Sequence, residues 1–219
     1  MIHREGSPLL LIATNNKGKV EELRDLLKDM DIDLLTPAQI NLNLDVMEDG
    51  KTYAENATKK AIAFAKASGL IALADDSGLE VDALDGAPGL YSARYGPPLT
   101  LPPSGLGVMG GAGGGSDANR RAYLLQNLRD KPRPWTARFH ATIAIATPNG
   151  EAHLAKGICE GEIIPEERGT GGFGYDPIFL LPDLGKTMAE LSMDEKNRLS
   201  HRARAVINAK PILKKLFTG

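Results

Sequence analysis

The sequence predicts an α/β fold, because two passages early in the chain each combine a short apolar strand with an amphipathic helix. In the first passage, residues 8–13 (PLLLIA) are wholly apolar, as expected for a strand buried on both faces. A polar stretch, TNNKGK, follows, and apolar residues then recur at helical spacing from Val20 to Met30. We therefore expect a strand, a polar loop and a helix here.

The second passage lies between residues 52 and 74. Residues 52–67 carry alanines on a narrow apolar face, which predicts a second helix, and Gly69 is typical of a helix C-terminus. The run LIALA at 70–74 predicts another buried strand, and residues 33–36 predict a short strand between the two helices. The alternation of strands and helices distinguishes this chain from a segregated all-β protein.

The middle of the chain differs in composition. Residues 96–116 are so rich in Gly and Pro that they predict a mobile loop and not a regular element or a phosphate-binding loop. A helix is expected at about 117–128. Alternating apolar residues at 136–147 and 152–164, on either side of a Pro-Asn-Gly turn, predict a hairpin.

The C-terminal part predicts one strand and a largely helical end. Pro177 is expected to begin the strand. From residue 192 to residue 217 the pattern is mostly helical, with interruptions expected near Ser200 and Pro211.

Composition excludes several classes of protein. The 219 residues contain 26 basic and 28 acidic side chains, so the formal charge of -2 provides no overall field that would attract nucleic acid or an anionic membrane surface. The single Cys159 excludes an internal disulfide and a zinc site built on several cysteines. No segment reaches the roughly 18 apolar residues of a membrane span. We expect a cytoplasmic protein.

Acidic residues cluster around one strand. Asp75 and Asp76 follow the apolar run LIALA directly, and a loop before the second helix carries Glu48 and Asp49. Two adjacent carboxylates at the end of a buried strand are costly unless a cation compensates them, and magnesium prefers such oxygen ligands. The alternative is that one aspartate caps a turn at Ser77, which accounts for only one of the two.

Basic residues open the first helix, in the stretch TNNKGK. Lys17 and Lys19 lie where a helix N-terminus disfavours cations and favours a bound anion such as phosphate. The alternative is that both lysines are solvated and that Thr14 or Asn15 is the N-cap.

Two further stretches could contact a planar ligand. In GTGGFGYDPIF, glycines flank Phe173, which allows close approach of the backbone beside an aromatic face, although a plain glycine-rich turn is the alternative. Lys196, His201 and Arg202 provide donors for phosphate or carbonyl oxygens, although a solvated charged helix face also accounts for them.

Six stretches, taken in order, resemble the inosine triphosphate pyrophosphatase family, whose members hydrolyse non-standard purine nucleoside triphosphates. The matching stretches are TNNKGK at 14–19, ENATKKA at 55–61, ADDSGLEVDALDGAPGLYSARYG at 74–96, ARFHATIA at 137–144, GTGGFGYDPIF at 169–179 and SHRARA at 200–205. They span almost the whole chain. The segment 1–7 and the longer loop at 96–116 depart from the family pattern without touching these stretches.

The resemblance implies one domain over residues 1–219, with two elongated lobes around a central mixed β-sheet with flanking helices and the active site in the cleft between the lobes. It implies a homodimer, while the balanced charge gives no indication that the protein binds nucleic acid or a membrane. The implied reaction converts ITP, dITP or XTP to the nucleoside monophosphate and pyrophosphate, with Mg2+ as cofactor.

The resemblance also implies roles for particular residues. Asp76 is expected to be the general base and a metal ligand, Glu48 the second metal ligand, and Lys60 a catalytic group facing the triphosphate. The residues expected to bind the triphosphate are Thr14, Asn15, Asn16, Lys17, Gly18 and Lys19. The residues expected to hold the nucleoside are Ser77, Phe173, Gly174, Tyr175, Asp176, Lys196, His201 and Arg202.

Charge and hydrogen-bond polarity agree with these roles. Magnesium with Lys19 and Lys60 would neutralise a triphosphate. The carbonyl oxygen at the purine 6-position accepts from Lys196, His201 or Arg202, whereas the amino group of adenine leaves such donors unpaired. Along an extended chain the Asp75 side chain points away from that of Asp76, so we expect Asp75 to be structural.

Two other functions remain open from the sequence. One is a nucleotide pyrophosphatase with a different base preference. The other is a non-catalytic nucleotide-binding module. The presence of both Glu48 and Asp76 argues against it, because a protein that only binds a triphosphate has little need for two carboxylates beside it.

Overall fold

In the computed structural model of the protein, residues 7–97 and 115–218 are described. The strands along this part of the chain are β1 (Leu9–Ile12), β2 (Asp33–Leu35), β3 (Ile71–Val81), β4 (Trp135–Ala146), β5 (Ala152–Ile163), β6 (Phe179–Leu181) and β7 (Lys186–Thr187). The α-helices are α1 (Lys17–Leu26), α2 (Tyr53–Ser68), α3 (Asp117–Leu128), α4 (Met193–Leu199) and α5 (His201–Thr218).

The strands form a seven-stranded sheet in the order β2-β1-β3-β4-β5-β6-β7. β1 pairs in parallel with both β2 and β3, so that Leu10 lies opposite Leu34 on one side and Ile71 on the other. β6 is antiparallel to β5 and β7. The sheet is therefore mixed, and the predicted α/β class is confirmed.

Most predicted elements occur where the sequence indicated them. β1, β2, α2, α3 and the hairpin of β4 and β5 lie within about two residues of their expected bounds. Gly69 ends α2 in the left-handed conformation, with φ +71°, as a glycine allows without steric cost.

Four boundaries were predicted wrongly. β3 continues to Val81 instead of ending before Asp75, as an inner strand of the sheet between β1 and β4 in which both aspartates are buried. α1 ends at Leu26, and β6 begins at Phe179, after a single 3-10 turn that contains Pro177. Pro211 lies inside α5 and does not interrupt it. Most of the predicted mobile loop, residues 98–114, and residues 1–6 lie outside the described residues.

The described residues belong to two compact units. The first lies within Met1–Ser77, His140–Cys159 and Met193–Gly219, and the second within Gly78–Phe139 and Glu160–Ser192. No helix of the described part is long and apolar enough to cross a membrane.

The core of the first unit lies on both faces of β1. Leu10 and Ile12 pack in a cluster with side chains of α1 and α5, whereas Leu11 and Ala13 pack in another with the alanines of α2. The side chains of β3 alternate in the same way, since Leu73 belongs to the first cluster and Ala72 and Ala74 belong to the second. The two-residue period of an extended chain therefore determines which helices each side chain meets.

In the second unit, aromatic and aliphatic side chains fill the interior. The rings of Phe139 and Phe179 are tilted against each other, with centroids 4.4 Å apart. Leu124 and Leu128 of α3 are fully buried. One face of α3 therefore packs against the interior of the second unit.

Close packing of β5 against α5 at Gly157 generates a stability prediction. A Cβ atom there would lie 2.1 Å from the carbonyl oxygen of His201 and 2.4 Å from the amide nitrogen of Ala205. Because both contacts are with backbone, Gly157→Ala should lower the free energy of unfolding by about 1–3 kcal/mol or more. Urea denaturation measures this, with exposed Lys156→Ala as the control. Equal stability of the two variants would contradict the packing.

Candidate active site

β3 sends two neighbouring carboxylates to opposite faces of the sheet. Asp75 lies on the same face of β3 as Leu73 and faces α1 and α5. Asp76 lies on the same face as Ala72 and Ala74 and faces α2. Both side chains are buried. The predicted opposite orientation of the pair is confirmed, but within the strand and not beyond its end, which also excludes the alternative of a turn-capping aspartate at this point.

Asp75 takes part in a buried ion network on the α1/α5 face. Its Oδ2 accepts a hydrogen bond from Nε of Arg202 at 2.8 Å and lies 3.3 Å from Nζ of Lys19. Glu22 of α1 joins the network through Arg202 and through Nζ of Lys196, 2.6 Å from its Oε1. The network thus contains three cations and two carboxylates.

The network stabilises the charged form of both of its carboxylates. Burial by itself raises the pKa of Asp75, but Arg202 and Lys19 outweigh burial and hold that pKa well below its usual value. Glu22 behaves in the same way, because Arg202 and Lys196 lower its pKa against burial. Burial lowers the pKa of Lys19. These groups therefore depend on one another for charge compensation.

Asp76 has a different environment on the α2 face. It is buried, and its Oδ2 has no hydrogen-bond partner among the described residues. The side chain of Asn56 hydrogen-bonds the carboxylate, while Glu48, Lys19 and Lys60 lie near enough to shift its pKa. Burial dominates and raises the pKa of Asp76 to about 6. One buried oxygen is thus free to accept a proton or a cation.

The loop that carries Glu48 is attached to the start of α2. Oδ1 of Asn56 accepts from the amide of Gly50 at 2.8 Å, and Oε2 of Glu55 accepts from the amide of Lys51 at 2.7 Å. A Cβ atom on Gly50 would lie 2.6 Å from Oδ1 of Asn56, so the glycine permits this approach. Asn56 therefore contacts both the loop and Asp76.

Glu48 and Lys60 form an ion pair. The Lys60 side chain is mostly buried, whereas that of Glu48 is about one-third exposed at 36%. Because α2 carries Lys60 and fixes the Glu48 loop, the two predicted groups lie beside the carboxylate of Asp76. The structure brings together three residues that the sequence assigned to metal and phosphate chemistry.

The stretch TNNKGK begins α1, but its cap differs from the alternative considered above. Asn16, and neither Thr14 nor Asn15, is the N-cap, and its side chain accepts from the amide of Lys19 at 3.1 Å. Lys17 is exposed, whereas Lys19 contacts Asp75. The first turn of α1 contains no acidic residue. The helix N-terminus consequently keeps its positive dipole end without a local counter-charge.

Four of the predicted nucleoside-binding residues, Ser77, Lys196, His201 and Arg202, belong to the first unit. Lys196 and Arg202 are in the ion network, and Nη2 of Arg202 donates to Oγ of Ser77 at 3.1 Å. His201 is buried, and burial together with neighbouring Arg202 places the pKa of His201 well below its usual value. Its imidazole is therefore neutral at pH 7.

The predicted turn Phe173–Asp176 lies in the second unit. Phe173 is half-buried, and its amide donates to Oδ2 of Asp176 at 2.9 Å. Tyr175 is buried and donates through its hydroxyl to the carbonyl of Ser92 at 2.9 Å. Tyr175 and Asp176 hence support the turn from within, and their contact with a nucleoside stays a prediction.

Sequence reasoning missed two residues of this arrangement, Glu22 and Asn56. Glu22 lies on the buried side of α1 beside Leu23 and Leu26, and a charge in an apolar stripe is a signal that it has a partner. Asn56 is likewise buried on the alanine face of α2, beside Ala57. Both signals are visible in the helical pattern, but the partners are not.

The chemistry of the carboxylates fits a magnesium ion. Magnesium commonly binds one or two carboxylates together with water and substrate phosphates. Asp76, with its unpaired buried oxygen, and Glu48 beside it provide such a pair. Within residues 7–97 and 115–218, no group of three or more His, Cys, Asp or Glu side chains is arranged to hold a metal.

Comparison with known proteins gives consistent matches over nearly the whole chain. The model of the Ham1 family matches residues 10–212. A protein of Desulforamulus reducens named dITP/XTP pyrophosphatase is 48% identical over 95% of this chain and 96% of its own length. One of the same name from Desulfotalea psychrophila is 46% identical over 93% of this chain and 84% of its own length. The Staphylococcus aureus Ham1 structure has a TM-score of 0.78 and 37% identity, over 95% of this chain and 99% of that one.

The different environments of the two aspartates predict opposite effects on stability. Asp75→Asn leaves Arg202 and Lys19 without their carboxylate, so we expect a loss of about 3–5 kcal/mol in the free energy of unfolding. Because the folded-state pKa of Asp75 is lowered, its stabilisation is complete above pH 5 and declines as the pH falls below about 4.

Asp76→Asn should instead stabilise the metal-free protein at pH 8. Its pKa of about 6 lies above the value of about 3.9 in unfolded chains, so the ionised side chain destabilises the fold above pH 6. The gain should reach up to about 3 kcal/mol and vanish near pH 4. Denaturation of both variants in chelator at the two pH values measures these effects. A loss of stability in Asp76→Asn at pH 8 would contradict the environment assigned to Asp76.

Proposed function

Because the chain belongs to the Ham1 family, we propose that it hydrolyses non-canonical purine nucleoside triphosphates to the nucleoside monophosphate and pyrophosphate. It is a hydrolase that acts on phosphoric anhydrides, and dITP, XTP and ITP are its substrates. Two relatives that carry the name dITP/XTP pyrophosphatase cover nearly all of the chain. The observation that carries the proposal is the buried, unpaired Oδ2 of Asp76 beside two lysines and a second carboxylate.

Asp76 is the group that takes the proton from water in this proposal. Hydrolysis adds one water between the α and β phosphates, and the water loses a proton as its oxygen bonds to phosphorus. The Oδ2 of Asp76, which has no hydrogen-bond partner among the described residues, can accept that proton. Asn56 orients the carboxylate by its hydrogen bond.

The lysines provide the charge that phosphoryl transfer requires. Lys19 and Lys60 lie near Asp76, on the first turn of α1 and on α2, and they neutralise the phosphate oxygens as negative charge moves to the leaving pyrophosphate. Thr14 to Gly18 provide the adjoining polar loop and the free helix N-terminus for the triphosphate. For Glu48 to bind a metal ion, its ion pair with Lys60 has to break, which also frees Lys60 for the triphosphate.

We propose Mg2+ as the cofactor, held by Asp76 and Glu48. When bound, magnesium supplies charge neutralisation and acidifies the water that attacks. The purine base of the substrate is recognised by the neutral His201 together with Lys196 and Arg202. These side chains offer hydrogen-bond donors to the carbonyl at the purine 6-position. Ser77 and the turn Phe173–Asp176 hold the rest of the nucleoside.

We also propose that the protein is a homodimer and acts in the cytoplasm as a single domain of two lobes. The family resemblance supports the dimer and the lobes, and the presence of one cysteine, the buried Cys159, accords with a reducing compartment. Sedimentation velocity measures the oligomeric state directly.

One assay tests the reaction, its base preference and its general base. Wild type is incubated with the triphosphates of inosine, deoxyinosine, xanthosine, guanosine, adenosine and cytidine, with magnesium or with chelator, and the phosphate product is identified. We expect pyrophosphate from ITP, dITP and XTP only, and no turnover in chelator. Orthophosphate, or binding without turnover, would overturn the proposal.

In the same assay, Asp76→Asn should lower kcat by at least about 100-fold, the usual contribution of a general base, with a smaller loss in Asp75→Asn. Exposed Asp183→Asn is the control for carboxylate removal. Equal losses in the two neighbouring aspartate variants would contradict the separate roles of these residues.

Gly50→Ala tests the support of Glu48. A methyl group there collides with Asn56 and moves the loop, so we expect the magnesium concentration for half-maximal rate to rise by about tenfold, as for other residues that orient metal ligands. Titration with magnesium at saturating dITP measures it, with exposed Lys51→Ala as the control. An unchanged magnesium requirement would show that the Gly50–Asn56 contact does not position Glu48.

A further inference from the structure

The turn Phe173–Asp176 is fixed from outside by two side chains of α3. The amide of Gly174 donates to Oδ2 of Asp117 at 2.6 Å, and the carbonyl of the same glycine accepts from Nη1 of Arg121 at 2.8 Å. Asp117 and Arg121 are four residues apart and therefore lie on one face of the helix. One turn of α3 thus holds both polar groups of a single residue.

Arg121 is itself held rigidly. Its Nε and Nη2 donate to the two carboxylate oxygens of Glu167, each at 2.8 Å. This bidentate arrangement fixes the plane of the guanidinium group, and Nη1 remains for the Gly174 carbonyl. A lysine at this position would offer one flexible nitrogen and could not maintain the same three contacts.

Gly174 needs such external support because of its backbone conformation. Its φ is +62°, and a Cβ atom there would meet nothing within 4 Å, so conformation and not space requires the glycine. A glycine in this region has more conformational freedom than other residues. Its neighbours are fixed in other ways: Asp176 binds the amide of Phe173, and the hydroxyl of Tyr175 binds Ser92. The contacts from α3 fix the peptide between them.

We propose that Asp117 and Arg121 are positioning residues that hold the Phe173–Gly174–Tyr175 turn in the conformation that receives the purine base. This inference rests on the proposed function, because it takes the half-buried Phe173 as the surface against which the base lies. In this proposal, neither residue contacts the nucleotide. They act by fixing the peptide bonds on both sides of Gly174, which set the direction of the Phe173 ring.

The variants are chosen so that α3 itself remains intact. Ser116 is the N-cap of α3, and its side chain accepts from the amide of Asn119, so capping does not depend on Asp117. Asp117→Ala removes the acceptor for the Gly174 amide, whereas Asp117→Asn retains one oxygen acceptor. Arg121→Lys retains the positive charge but loses the planar guanidinium group with its several donors. Exposed Gln126→Ala on the same helix is the control.

The first measurement is hydrogen–deuterium exchange of the full-length protein without nucleotide. Exchange at residues 169–176 should be faster in Asp117→Ala and Arg121→Lys than in wild type or Gln126→Ala. Unchanged exchange in both variants would overturn the proposal. This measurement requires no turnover, so it separates a failure of the positioning role from a failure of the proposed reaction, which wild-type turnover of dITP and XTP decides.

The second measurement separates base positioning from general structural damage. In Asp117→Ala we expect KM for dITP to rise by about tenfold and kcat to stay within about twofold of wild type. A contact that binds substrate and transition state equally well affects KM and not kcat when it is lost. Inhibition by inorganic pyrophosphate, which has no base, should be unchanged, and Asp117→Asn should show a smaller rise in KM. An unchanged KM, or weaker pyrophosphate inhibition in parallel with the rise in KM, would overturn the proposal.

Discussion

The two-residue period of β3 is the constraint on which the site depends. Two adjacent carboxylates would repel each other in one environment, but the extended chain gives each its own face and its own helices. On one face cations from α1 and α5 hold the pKa of Asp75 low, and on the other burial raises the pKa of Asp76. A shift of one residue in the register of β3 would exchange these environments.

The ion network around Asp75 fixes cations that we propose to contact the substrate. Burying a charged pair is expensive, and its net contribution to stability is small compared with the cost of removing one partner. Its effect here is geometric, because carboxylates hold Lys19, Lys196 and Arg202 in place. Three potential ligand donors on α1, α4 and α5 are consequently oriented before any ligand arrives.

Local pattern was sufficient to predict the fold class and most elements, because β1, α2 and the β4–β5 hairpin are encoded in contiguous stretches. The end of β3 was not predictable in this way. Asp-Ser-Gly favours a turn locally, but β3 is an inner strand beside β4, and Asp75 is bonded by Arg202, 127 positions along the chain. Glu22 was missed for the same reason, since its partner Arg202 is 180 positions away. The family resemblance, and not geometry, supplied the roles of the predicted site residues.

In each of the two units, a helix holds a loop of the proposed site through the backbone of one glycine. In the first, Asn56 of α2 accepts from the amide of Gly50, where a side chain would collide with the asparagine. In the second, α3 binds both polar groups of Gly174, where a side chain would have space but the wrong φ. The two glycines are therefore required for different physical reasons. Because a glycine backbone is both accessible and mobile, one or two side-chain hydrogen bonds from a rigid helix can determine where such a loop lies.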